Sequence, residues 1–225
     1  MASLFRFDGP IGRLISRITD LFFLNILWLI CCLPIVTIAA STAALHYVTM
    51  RMVRDEDSGI FKNFFHSFRQ NLKQSVVISL IYVISGIFLL FVIYLFNHLE
   101  LGGWYLWSVF LYLALLIHFI VFGYVFPIFA KFENSTRMLI KNAYFMAIRY
   151  PVNTLVVTVI NALPLILAFF VPELFARLAI LWVLIMFAVQ SYWNASLFRR
   201  IFDQFIPAEE ITSDEDFTIG GNEEE

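Results

Sequence analysis

The chain has 225 residues, of which 61% are apolar, 18% aromatic and only 14% charged. A soluble domain is about 45–50% apolar and about 25% charged, and a fold of this size has too little interior to hide the excess apolar surface. The composition therefore excludes a secreted disulfide scaffold, a disordered chain and an ordinary cytosolic enzyme. It predicts an all-α integral membrane protein.

The formal net charge of −2 hides two blocks of opposite sign. Residues 1–202 hold all 15 Lys and Arg residues with 8 acids, whereas residues 203–225 hold 9 acids and no base. We therefore predict one membrane domain, residues 1–202, followed by an acidic tail, residues 203–225, that is solvated and disordered.

Four runs of about 20 residues contain no Asp, Glu, Lys or Arg, and a helix of about 20 residues crosses the hydrocarbon core of about 30 Å. Backbone polar groups in lipid must be paired internally, so these runs are predicted to be spanning helices. A fifth charge-free run, residues 21–45, is interrupted by Pro34. The four uninterrupted runs are residues 76–96, 104–126, 152–171 and 178–197.

The run that contains Pro34 has two interpretations. It forms one kinked helix, which gives five crossings and an external N-terminus, or a helical hairpin, which gives six membrane segments. In the hairpin, a first helix from about Ile11 to Leu33 is followed by a second helix that is capped by Ser41 or Thr42 and returns to Arg54.

The distribution of Lys and Arg favours the hairpin, because these residues concentrate in cytoplasmic loops. Five crossings place 11 of them inside and 4 outside, whereas the hairpin places 14 inside and 1 outside. We therefore predict a multi-pass membrane protein with both termini and most Lys and Arg loops in the cytoplasm.

Residues 60–74 have the pattern of an amphipathic helix on the cytoplasmic side. Aromatic residues recur every three or four positions, and basic residues occupy other faces. Such a helix lies on the inner leaflet, packs under the bundle or docks a cytosolic partner. A second cytoplasmic helix is predicted within residues 130–150. The predicted membrane or partner surface of the helix over residues 60–74 consists of Phe61, Phe64, Phe65, Phe68, Arg69 and Lys73.

A few polar side chains lie within the apolar runs. They either form interhelical hydrogen bonds or line a path for a neutral solute such as a sugar. Asn161, close to Pro164, forms the best candidate cluster with Gln190 and Asn194, which lie one turn apart. The full set is Asn25, His118, Asn161, Gln190 and Asn194.

Catalytic patterns are missing from the sequence. It has no nucleophile motif, no phosphate-binding glycine loop and no His or Cys spacing typical of a metal site. We expect no enzyme activity, no catalytic residue, no metal, no cofactor and no nucleic-acid partner.

The chain resembles the YesL family of bacterial membrane proteins, also called DUF624. The resemblance rests on residues 33–54, 59–73 and 126–142. It implies an inner-membrane protein of Firmicutes-like bacteria, encoded beside sugar-binding, sugar-permease and glycosidase genes. The implied role is a non-enzymatic accessory or regulatory component of ABC-type carbohydrate uptake, whose partners are the bilayer and the importer permease subunits. The alternative is a permease for a neutral solute, and the oligomeric state is left open.

Overall fold

The computed structural model describes residues 10–56, 59–98, 104–132 and 134–204. Within these ranges the regular structure is helical and no strand occurs, so the predicted all-α class is confirmed. A 3-10 turn, Ile35–Thr37, precedes α2, and a π-helical turn, Trp182–Met186, joins α7 to α8. The α-helices are α1 (Pro10–Cys31), α2 (Ile38–Val53), α3 (Ile60–His98), α4 (Trp104–Lys131), α5 (Thr136–Arg149), α6 (Pro151–Phe170), α7 (Pro172–Leu181) and α8 (Phe187–Phe202).

Five helical stretches of the described chain are long and apolar enough to cross a membrane: α1, α3, α4, α6 and the continuous stretch from α7 to α8. Their outward surfaces are apolar too. In the middle of α3, Ile84, Ile87 and Phe88 are each more than 60% exposed. A soluble protein rarely leaves so large an apolar surface in water, so hydrocarbon covers these helices and the protein is a multi-pass membrane protein.

The first two helices form the predicted hairpin. Near its closed end the Trp28 indole N–H donates to Thr42 Oγ1 at 3.2 Å, and Ser41 Oγ donates to the Trp28 carbonyl at 2.9 Å. Near its open end the Arg17 guanidinium forms an ion pair with Asp55. Residues later in α2 pair with residues earlier in α1, so α2 runs antiparallel to α1.

The predicted cap of α2 at Ser41 or Thr42 is wrong, since α2 begins at Ile38. The 3-10 turn that follows Pro34 reverses the chain earlier than expected. Both hydroxyl side chains are consequently inside the helix, where they bond to Trp28 of α1 instead of the helix end.

Helix α2 occupies the centre of the bundle. Its 16 residues span only about 24 Å, and 11 of them are buried. It contacts α1, α3, α4 and α8. One face packs with Leu24 of α1 and Phe64 of α3, and the other packs with Tyr124 of α4 and Phe198 of α8. The bundle is therefore built around a helix that other helices shield.

Helix α3 joins two predicted segments into one rod. The amphipathic segment 60–74 and the membrane segment 76–96 are continuous in α3, whose 39 residues correspond to about 58 Å. This length exceeds the hydrocarbon core of about 30 Å, so the N-terminal part of α3 extends beyond it.

The Lys- and Arg-rich segments meet at one end of the bundle. Arg54, at the end of α2, forms an ion pair with Asp203 after α8. Gln74 of α3 donates to the Asn134 carbonyl at 2.7 Å, and Tyr150 donates to Gln204 Oε1 at 2.8 Å. We refer to this side as the basic end, and the positive-inside rule predicts that it faces the cytoplasm.

Cysteine labelling tests this orientation. In a background with Cys31→Ala and Cys32→Ala, we expect Ser3→Cys and Glu56→Cys to react only from the cytoplasmic side. Gly102→Cys should react only from the outside, because the segment 97–103 contains no Lys or Arg. Labelling of Ser3→Cys from outside would contradict the predicted location of the N-terminus.

Candidate functional site

Asn25 on α1 connects to the π-helical turn between α7 and α8. Its side chain is fully buried, its amide nitrogen donates to the Val183 carbonyl at 2.7 Å, and its oxygen accepts from the Ala188 N–H at 2.9 Å. The Val183 carbonyl and the Ala188 N–H lie five residues apart. They are at the π-helical turn, where the regular hydrogen bonds of an α-helix between residues four apart are interrupted. Asn25 therefore pairs backbone groups beside an irregular turn inside the bundle.

Gln190 on α8 pairs with a backbone carbonyl of α6. Its amide donates to the Ile160 carbonyl at 2.7 Å. In a regular helix this carbonyl would accept from residue 164, but Pro164 has no N–H to donate. The Gln190 side chain thus supplies the hydrogen bond that the proline removes.

Asn161 and Asn194 complete a small amide cluster with Gln190 between α6 and α8. Asn194 Nδ2 donates to Asn161 Oδ1 at 2.7 Å. A Cβ at Gly123 of α4 would come within 3.2 Å of the Asn161 amide nitrogen, so the missing side chain gives Asn161 its room. Asn194 Oδ1 is buried without a hydrogen-bond partner in the described chain. The structure therefore brings three of the five predicted polar residues together.

His118 lies apart from this cluster, between α3 and α4. Its ring stacks on Tyr82 with centroids 5.0 Å apart. Its Nε2 is buried without a hydrogen-bond partner among the described residues, and a Cβ at Gly86 would lie 3.4 Å from it. The contacts of His118 are mainly those of a packed ring.

The aromatic surface predicted on residues 60–74 is divided. Phe64 is fully buried and Phe68 packs against the same cluster, whereas Phe61 and Phe65 are exposed. The predicted aromatic residues are therefore divided between a buried side, with Phe64 and Phe68, and an exposed side, with Phe61 and Phe65. The buried face of α3 runs through Phe64, Ser67 and Ser75, because α2 lies against that side. Arg69 and Lys73 are exposed, as expected of a solvated face.

A buried polar contact that we did not predict links α2 to α8. His46 Nδ1 lies 3.1 Å from Ser191 Oγ, and Ser191 Oγ lies 2.9 Å from Thr49 Oγ1. All three side chains are buried, and no acidic side chain is among these contacts. The three side chains therefore form a buried hydrogen-bonded contact between α2 and α8.

A polar cavity opens at the basic end and was also missed. It has a volume of about 580 Å³ and lies between α2, α3 and the end of α4. Beside it is a smaller chamber of about 170 Å³, and the two share Tyr47, Ala130 and Lys131 as walls. The larger volume lies within the usual range for small-molecule sites, about 300–1,000 Å³. We name the larger one the neutral chamber, because Gln70, Asn71 and Gln74 line it, and the smaller one the cationic chamber, because Arg51, Arg54 and Arg199 line it.

Sequence reasoning missed the cavity because its walls come from distant segments. The neutral chamber takes His66, Asn71 and Gln74 from α3 and Asn134 from the segment before α5. A signal was available in residues 66–74, since polar residues recur there on the face opposite to Phe61 and Phe65. This arrangement supports binding of a polar ligand, and it includes no cluster of metal-ligating residues in the described chain.

Comparison with known proteins agrees with the resemblance. Residues 21–93 match the family described as "Protein of unknown function, DUF624". The chain is also 28% identical, over 139 residues, to the Bacillus subtilis (strain 168) protein described as "Uncharacterized protein YesL". Both matches support a YesL-family (DUF624) protein. No solved structure matches it.

Each of the two matches covers only part of the chain. The alignment with YesL covers 60% of this chain and 65% of YesL, slightly less than two thirds of that relative. The family match covers the second half of α1, all of α2 and α3 as far as Ile93. It therefore contains Asn25, His46 and the α2 and α3 walls of the cavity, whereas Asn161, Gln190 and Asn194 lie outside it.

Proposed function

We propose that this DUF624 protein is a non-enzymatic accessory or regulatory component of carbohydrate uptake in bacteria, acting with the permease subunits of an ABC-type importer. The observation that carries the proposal is the location of the polar groups. Most polar side chains inside the bundle are engaged in hydrogen bonds between helices, whereas the polar cavity opens at the basic end.

The hydrogen bonds of Asn25 and Gln190 support an accessory role over a transport path. Both side chains satisfy backbone groups of other helices, at 2.7–2.9 Å. The four uninterrupted apolar runs also contain no Asp, Glu, Lys or Arg, the residues that often mark a substrate or proton path in a membrane. A protein that acts through a contact surface at the basic end needs no polar path through the interior of the bundle.

Site-specific photo-crosslinking in the native membrane tests this function. A crosslinking amino acid at Arg69 or Lys73, both exposed on α3, should capture importer permease subunits. The same amino acid at Ile180 on α7, which is 70% exposed, serves as the control at a lipid-facing position. We expect permease adducts from the α3 positions only, together with altered sugar uptake in a deletion strain. Unchanged uptake without permease adducts would contradict the role.

The second candidate function is a permease for a neutral solute. The observation in its favour is the amide cluster, in which buried Asn194 Oδ1 accepts no hydrogen bond within the described residues. Purified protein in sealed vesicles tests this alternative. Sugar flux that disappears in Asn194→Leu would support a permease, and absence of flux across a panel of sugars would count against it.

A further inference from the structure

Helix α5 has one buried face and one exposed face. Leu139, Ala143 and Met146 are buried in the core cluster that also contains residues of α4 and α8. Residues three, four or seven positions apart lie on the same side of a helix, and the exposed residues of α5 follow this spacing on the other side. We call them the α5 outer face: Arg137, Met138, Lys141, Tyr144, Phe145, Ile148 and Arg149.

The α5 outer face combines large apolar side chains with basic ones, and α5 contains no acidic residue. Arg137, Lys141 and Arg149 form no ion pair with any residue that the structure describes. The guanidinium carbon of Arg149 lies 6.0 Å from the centroid of the Phe145 ring. A helix face that carries both apolar and basic side chains is typical of a helix that lies at a membrane surface.

The neighbouring helices place α5 at the level of the membrane surface. Helix α6 begins at Pro151 and has 20 residues, or about 30 Å, which equals the thickness of the hydrocarbon core. Pro151 therefore lies at the boundary of that core, and only Tyr150 separates it from α5. The other end of α5 follows Asn134, whose carbonyl accepts from Gln74 of α3. Both ends of α5 thus lie at the basic end.

The exposed apolar surface of α6 continues onto α5. Val152 and Leu155, in the first turns of α6, are 74% and 67% exposed, and Ile148, in the last turn of α5, is 79% exposed. Lipid covers Val152 and Leu155, since α6 crosses the membrane. Ile148 lies only four residues before Val152, so the lipid that covers the start of α6 also reaches the α5 outer face.

We propose that the α5 outer face binds the membrane surface and selects anionic phospholipids. Ile148, Phe145 and Met138 enter the boundary between headgroups and acyl chains, and the basic side chains bind lipid phosphates through charge-assisted hydrogen bonds. Each Lys or Arg near an anionic surface favours binding by about fivefold. Because no acid offsets these bases on α5, an anionic lipid such as phosphatidylglycerol fits better than zwitterionic phosphatidylcholine. The inference does not depend on the accessory role.

Fluorescence quenching in nanodiscs tests the position of the α5 outer face. A fluorophore is attached to Ile148→Cys in the full-length protein with Cys31→Ala and Cys32→Ala. We expect quenching by a nitroxide on the upper acyl chain of the lipid and shielding from aqueous iodide. Ile180→Cys, exposed on α7, is the control for a lipid-facing label. Glu56→Cys, exposed in the turn before α3, is the control for a label in water.

Native mass spectrometry tests the selection of anionic lipid. The full-length protein is released from nanodiscs that contain equal amounts of phosphatidylglycerol and phosphatidylcholine, and the retained lipids are counted. Arg137→Gln with Lys141→Gln should lower the preference for phosphatidylglycerol, by about fivefold for each charge removed. Arg137→Lys with Lys141→Arg is the matched control, because it changes the same exposed positions and keeps both charges. This control should retain lipid like the parent protein.

The acidic segment 207–225 is the competing occupant of the α5 outer face. It follows Gln204, whose Oε1 accepts from Tyr150 at the end of α5. Deleting residues 207–225 should leave the label at Ile148→Cys shielded from iodide. The proposal is overturned if this deletion exposes the label, if iodide quenches it as strongly as the label at Glu56→Cys, or if the two double variants retain lipid alike. These results are independent of the crosslinking to permease subunits.

Discussion

Replacing Asn25 with Leu should lower the free energy of unfolding by about 2–3 kcal/mol. The substitution removes the partners of the Val183 carbonyl and the Ala188 N–H. A buried backbone group without a partner costs about 1–3 kcal/mol, although hydrogen bonds between membrane helices often contribute less. The loss should appear in detergent as a lower midpoint of unfolding, followed by circular dichroism.

Asn97→Leu is the matched control for this measurement. Asn97 also donates a side-chain hydrogen bond, to Tyr112 Oη at 3.1 Å, but it is exposed near the end of α3. Its replacement should change the unfolding free energy by less than about 0.5 kcal/mol, the usual range for surface substitutions. Equal losses in the two variants would show that Asn25 has no special role at the π-helical turn.

Gln190→Leu should destabilise the protein by about 1–2 kcal/mol, and this loss should depend on Pro164. In the parent protein Gln190 donates to the Ile160 carbonyl. Pro164 has no N–H and therefore cannot donate to that carbonyl. In a Pro164→Ala background the alanine N–H can donate to that carbonyl. Removal of Gln190 should then cost less, because Ile160 keeps a partner.

A double-mutant cycle measures this dependence. The four proteins are the parent, Gln190→Leu, Pro164→Ala and the double variant, and the coupling free energy should be about 1 kcal/mol. Leu165→Ala replaces Pro164→Ala as the control background, since Leu165 is exposed on α6. Additive effects of Gln190→Leu and Pro164→Ala would contradict the pairing.

Much of the fold could be predicted from the sequence because lipid imposes simple rules. Charge-free runs of about 20 residues predicted the spanning helices, and the Lys and Arg distribution predicted the return of the chain after Pro34. The joining of residues 60–74 to 76–96 could not be predicted, since the amphipathic and uniformly apolar patterns differ although α3 is continuous. Helix continuity depends on backbone hydrogen bonds that this change in pattern leaves intact.

The site was harder to predict, because its residues come together only through packing. The sequence indicated that Asn161, Gln190 and Asn194 share a region, since two of them lie one turn apart on α8. It gave no partner for Asn25 or His46, whose contacts are 158 and 145 residues away. One local signal was available: Ala39, Ala40, Ser41, Thr42, Ala43 and Ala44 form a run of small residues, which is typical of a helix packed against other helices.

The shielded position of α2 has a consequence for biosynthesis. Helix α2 makes some of its contacts with residues that are synthesised much later, since His46 and Thr49 contact Ser191 near the end of the described chain. A ribosome must therefore translate more than 140 further residues before the N-terminal hairpin finds its final neighbours. During that interval His46 and Thr49 lack their contacts with Ser191, so the first membrane segments to emerge are among the last to reach their native contacts.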